Sequence, residues 1–143
     1  MWIIAMWMHM LVWFLLLPVV RSLDGLGPFI TYNPNAWISH ERQDQVLNKL
    51  KHCSIVCLAG TKQKQFGKNP VQRRITRLWI ILTAGYGKQG NRHAGVSIAL
   101  NRRWFCLDHI KKFAYPGDPR LQGRGLAIRT KSKAFDFLWF RTL

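Results

Sequence analysis

Six carboxylates are spread along 143 residues: Asp24, Glu41, Asp44, Asp108, Asp118 and Asp136. Hydrolytic and transfer sites bring acids together, or assemble sets of His and Cys. Proton transfer, metal ligation and nucleophilic attack each need partner groups within hydrogen-bond reach. No such set is visible here. His9, His40, His52, His93 and His109 are scattered and form no HExxH or HxxxH pair. Cys53 and Cys57 share a short stretch, but no second ligand pair follows at zinc-finger distance. With Cys106 the cysteine count is odd, which argues against a disulfide framework. Cys57 lies inside the apolar run Ile55-Val56-Cys57-Leu58 and reads as a buried thiol. These residues predict a chain that does not work as an enzyme on its own.

The cations give a different signal. Lys and Arg number 22 against 6 acids, for a formal charge of +16. Such a surplus repels itself and favours polyanions, either nucleic acid or an anionic membrane face. The candidate nucleic-acid-binding residues are Arg73, Arg74, Arg77, Arg102, Arg103, Arg124 and Arg129. Lys111-Lys112, Arg120, Lys131 and Lys133 add to the basic groups, and Trp79 and Trp104 could stack bases beside them. The plainer alternative packs the tryptophans in the core and leaves the charges solvated, in a biased reading frame whose charge was never selected.

Elements must position these groups. Residues 1–20 are almost wholly apolar, with Trp2, Trp7, Trp13 and the polar His9. Their length matches one bilayer crossing, which takes about 20 residues. They lack a basic leader region and a small-x-small cleavage site, and Arg21 is the only nearby basic flank. A signal peptide and in-frame upstream sequence are the other readings. The organisation expected is an apolar, potentially membrane-spanning helix over 1–21, a DGLGP-bearing linker over 22–28, and a domain over 29–143.

Within the domain, Phe29 to Tyr32 reads as a short strand ending at Asn33-Pro34. Ser39 is the expected N-cap of a helix striped by Val46, Leu47 and Leu50, with Glu41 in its first turn. Ile55 to Leu58 reads as a buried strand, the polar stretch Lys62 to Arg77 as a loop, and Leu78 to Leu82 as another strand. Gly85 to Asn91 is a turn. Val96, Ile98 and Leu100 alternate as in a strand with one buried face. Leu126 to Ile128 and Phe135 to Phe140 look like the last two strands, joined by a turn at Lys131-Ser132-Lys133. The fold class expected is an α/β (α+β) sandwich.

Three stretches, taken in order, resemble the endonuclease/exonuclease/phosphatase superfamily. They are Thr31-Tyr32-Asn33-x-Asn35-Ala36-Trp37; the helix Glu41 to Leu50 with Ser54-Ile55-Val56-Cys57-Leu58-Ala59-Gly60-Thr61; and His93 to Leu100 followed by Gln122 to Arg129. The flavour is similar to the nuclease domain of LINE-type (non-LTR) retrotransposon polyproteins. The resemblance implies a two-sheet sandwich with Mg²⁺ at its upper edge, where hard oxygen ligands and an activated water cleave a phosphodiester. Asn33 falls where the family has an Asn that helps hold metal and phosphate. Gly60 falls where it has the metal-binding Glu. The later Tyr, Asp-x-Asn and Asp-His motifs would follow Phe140.

The expectation is therefore a truncated, catalytically inactive relative of a Mg-dependent DNA endonuclease, retroelement-derived, with Asn33 vestigial and no cofactor of its own. Read without the resemblance, Asn33 is a turn residue before Pro34, and Gly60 ends a strand. The alternatives are a small membrane-anchored basic protein that binds polyanions and a translation product that never folds stably. Partners would be nucleic acid, bound without sequence preference, and a membrane through residues 1–20. Localisation would be the membrane if that segment is used, and otherwise nuclear or unassigned. Nothing in the sequence selects an oligomeric state.

Overall fold

The computed structural model describes residues 27–34, 39–65, 67–130 and 138–141. The expected membrane-spanning helix, the Lys131-Ser132-Lys133 turn and the start of the last expected strand lie outside these residues.

The chain alternates strand, helix and strand before a run of strands. β1 (Phe29–Tyr32) is followed by helix α1 (His40–Lys49) and β2 (Ile55–Ala59). Then come β3 (Val71–Ile75), β4 (Trp79–Ala84), β5 (Val96–Asn101), β6 (Ile110–Ala114), β7 (Gly125–Thr130) and β8 (Leu138–Arg141). The first five strands form one sheet in the order β1-β2-β5-β4-β3, and the last three form a second in the order β6-β7-β8. Among the described strands only the β1–β2 pair is parallel, with α1 as its crossover. A parallel pair needs such a connection because its strands must start at the same end.

Ser39 caps α1 as expected, its hydroxyl accepting from the Arg42 backbone N–H at 3.2 Å. Glu41 in the first turn and Lys49 in the last complement the helix dipole. Val46 and Leu47 face the five-stranded sheet and pack on Val56, Leu58, Trp79, Ile81 and Ala99. The opposite face of that sheet carries Ile55, Cys57, Ile80, Leu82, Ile98 and Leu100, which meet Leu126 and Ile128 of the second sheet. The result is an α+β fold layered as helix, sheet, sheet. Burying each Leu or Ile side chain contributes roughly 1.5–3 kcal/mol.

The central position of this sheet corrects one expectation. β5 was expected to bury one face, yet all six of its residues are buried, as are all six of β4. Their outward positions carry Ala99, Ser97 and Thr83, and the Thr83 and Ser97 hydroxyls pair at 2.7 Å. Small or mutually satisfied side chains let the helix close over that face.

Two further strands were not expected. β3 lies inside the stretch read as a loop. As an edge strand it needs backbone bonds only to β4, so Gln72, Arg73 and Arg74 are tolerated between Val71 and Ile75. β6 contains Lys111-Lys112, which reads as a basic pair; it is an edge strand with a register shift between Ile110 and Lys112.

Candidate functional site

The register sets two ends of the large sheet. Ala59, Ala84 and Val96 align at one, the upper end, and Trp79 and Asn101 at the other, the lower end. Asn33 and Gly60 follow the parallel strands β1 and β2 at the upper end. They are neighbours in space. A Cβ built on Gly60 would stand 3.1 Å from Asn33 Oδ1. Gly60 has φ of +62°, a left-handed conformation that side chains other than hydrogen rarely adopt.

Beyond Gly60 the chain crosses the upper edge. Thr61 N–H donates to the Gly95 carbonyl at 3.0 Å, and Lys62 N–H to that of Ala94 at 3.1 Å. Gln65 N–H donates to the Tyr86 carbonyl, and Tyr86 N–H to that of Gln63, both at 2.9 Å. Gly95 donates to the Gly123 carbonyl at 2.8 Å and stitches in the second sheet. Gly95 has φ of +119°, and a Cβ there would collide with Thr61 Oγ1.

These crossings shape two abutting hollows of about 370 and 360 Å³ that share Lys64, Tyr86, Gly87 and Lys88. Arg92 lines one of them, and among the described residues no carboxylate lines either. Asp118 is close in sequence to the lining residue Pro119, but hydrogen bonds from Arg120 engage its carboxylate, at 2.9 Å from Nη2, and hold its pKa below the usual range. The rim is therefore cationic and rich in glycine, a shape that admits phosphate oxygens.

The candidate arginines do not form one patch. Arg74 turns toward α1 and donates to Asp44 Oδ1 at 2.9 Å and to Gln43 Oε1 at 2.9 Å. Arg102 donates to the Thr76 carbonyl at 2.9 Å and ties the β3–β4 turn to the lower end. Arg103 lies over the Trp104 ring, 5.4 Å from its centroid, and Arg77 is exposed at the same end. Arg124 is half-buried at the upper end beside Gly123, and Arg129 is exposed on the second sheet, opposite Lys112. Arg73 lies on β3, opposite Leu82, and faces the gap between the sheets. Trp79 is 2% exposed in the core beneath α1, so it offers no stacking face.

The upper-edge cations Lys64, Lys88 and Arg92 were not singled out from the sequence. For Lys88 and Arg92 the signal is the glycine-spaced run Gly85 to Asn91, read only as a turn, which contains Lys88 and ends beside Arg92; Lys64 lies in the polar stretch read as a loop.

The side chains at this edge do not fit a magnesium centre. Gly60 supplies no ligand, and Asn33 offers a neutral amide where Mg²⁺ prefers carboxylate oxygen. Among the described residues no group of three or more His, Cys, Asp and Glu could hold a metal ion. Among the same residues no helix is long and apolar enough to cross a membrane. Compared with models of known protein families and with curated proteins, the chain matches none.

Proposed function

We propose that this chain is a non-catalytic, retroelement-derived relative of Mg-dependent DNA endonucleases that binds nucleic acid through its phosphates without reading sequence. The observation that carries the reading is the upper rim of Lys64, Lys88 and Arg92 around Tyr86, which no carboxylate lines among the described residues. Two facts support it. The net charge is +16, and Asn33 stands beside a glycine at the end of the parallel strand pair. A glycine there retains backbone shape without a metal ligand. Phosphate contacts need only donors and positive charge, and both remain.

The test is binding of a labelled random-sequence duplex at two salt concentrations. Affinity should fall by orders of magnitude between about 50 and 200 mM salt. Replacing Lys64, Lys88 and Arg92 together by Ala should lower the slope of log affinity against log salt by about three, roughly one per cation. Affinity that ignores salt, or a slope that ignores the triple replacement, contradicts the reading.

A second reading rests on the apolar residues 1–20. They would anchor the same basic domain to a bilayer, where it would bind anionic polymers or headgroups.

A further inference from the structure

The flank between the two sheets carries a different chemistry from the upper rim. β3 is the edge of one sheet and β6 the edge of the other. Between them opens a cleft of about 840 Å³, with Leu82 in its floor, Arg73 and Gln72 on the β3 side, and Phe113 and Tyr115 on the β6 side. Phe113 pairs in register with Ile128, whose side chain belongs to the inter-sheet core, so the Phe113 ring points the same way. The core stops short of it, and Phe113 is 45% and Tyr115 41% exposed. Lys111 and Lys112 on the same strand are exposed, and among the described residues no carboxylate lines the cleft.

Two open aromatic rings with an arginine across the cleft are what unpaired bases and their phosphates require. Bases stack on aromatic faces regardless of sequence, and a guanidinium or ammonium beside them takes the backbone charge. An apolar protein segment would satisfy the rings but leave Arg73 desolvated without a counter-charge, which is costly. A second copy of a chain with charge +16 would repel it. Packed sheets stand about 10 Å apart, a gap that takes a single strand edgewise and not a duplex.

We propose that this flank binds single-stranded nucleic acid, with bases stacked on Phe113 and Tyr115 and a phosphate held by Arg73. The inference rests on the nucleic-acid reading above and adds the strandedness of the ligand and a second contact surface. Single strands use the flank, whereas duplex phosphates use the rim of Lys64, Lys88 and Arg92.

The experiment measures full-chain binding to a thymidylate oligomer of about 15 nucleotides, its uridylate counterpart and a duplex, matching known single-strand site sizes of roughly 4–16 nucleotides. Phe113→Ala and Tyr115→Ala should each weaken single-strand binding by at least about fivefold, the equivalent of one lost stack. Both should leave duplex binding unchanged, and Tyr115→Phe should retain single-strand affinity. An oligomer carrying 5-iodouracil should photocrosslink to Phe113 or Tyr115. These side chains are already part-exposed, and an unchanged circular dichroism spectrum confirms that each variant folds. If the duplex binds but single-strand affinity ignores both alanine variants, or the crosslinks map elsewhere, the flank site is overturned and the phosphate-binding reading survives. If no nucleic acid binds at any salt concentration, both are overturned. The thymidylate and uridylate arms show whether the flank prefers DNA or RNA.

Discussion

Asn33 Oδ1 stands 3.1 Å from the point where a Cβ on Gly60 would lie, so two residues far apart in sequence share the end of a parallel strand pair. Under the endonuclease relationship proposed above, this is where an amide and a carboxylate would meet a metal. Here the position belongs to a glycine with φ of +62°. We expect no Mg²⁺-dependent nicking of plasmid DNA or abasic duplex. Metal-dependent nicking that disappears on Asn33→Ala would contradict this. Gly60→Ala should cost about 1–2 kcal/mol through its left-handed backbone, measurable as a lower midpoint in urea.

Asn101 closes the lower end of the sheet. Its amide nitrogen donates to the Lys51 and Cys53 carbonyls, both at 3.0 Å, and its oxygen accepts from the Arg103 N–H at 3.0 Å. The residue is 2% exposed. Asn101→Ala would leave the buried Cys53 carbonyl without this donor, at a cost of about 1–3 kcal/mol. Asn101→Asp should be no milder, because a carboxylate cannot donate to those carbonyls. Equilibrium unfolding of both variants is the measurement, and a loss below about 0.5 kcal/mol, the scale of an ordinary surface substitution, would show that the clamp is dispensable.

Cys57 is wholly buried on the inter-sheet face, and burial pushes its thiol up to about 12 from 9.0. Unfolded chains lose this proton first, so above pH 9 the native state binds more protons than the unfolded state. Stability then falls as pH rises, by up to about 1.4 kcal/mol per unit from this group. Cys57→Ala should flatten that part of the stability profile relative to the parent chain. A thiol reagent at neutral pH should label only Cys106 in the native chain, since Cys53 and Cys57 are buried and Cys106 is exposed. Prompt labelling of Cys57 without denaturant would contradict the packing.

Residues 1–20 should insert into a bilayer when translated. Apolar residues near the centre of such a segment contribute roughly −0.3 to −0.6 kcal/mol each to apparent insertion free energy. Glycosylation reporters placed on both sides of the segment decide the matter. Complete release into the aqueous phase would remove the membrane-anchored reading and leave the upper rim's chemistry unaffected.

Local pattern carried much of the fold. Phe29 to Tyr32, the Ser39 cap, the Val46-Leu47 stripe and the strands around Ile55, Ile80 and Val96 are legible because each is set by neighbours in sequence: a capping side chain, an apolar period, a run bounded by turns. Cys57 as a buried thiol was legible for the same reason. The approach of Asn33 to Gly60 had a sequence signal only through the family resemblance. The distance itself comes from the parallel pairing of β1 with β2.

Edges and long-range neighbours were not legible. β3 and β6 are polar strands because each bonds to the rest of its sheet along one side only, so Val71 to Ile75 reads as loop and Lys111-Lys112 as a charge pair. The arginines that look like one basic set are divided by alternation and by strand direction. Arg73 faces the open flank, Arg74 faces Asp44, and Arg102 lies at the opposite end from Gly60. Composition by itself determined that the chain is a strong polycation. Tertiary structure alone decided which cations share a cleft, because strand pairing joins residues whose separation along the chain leaves no local signal.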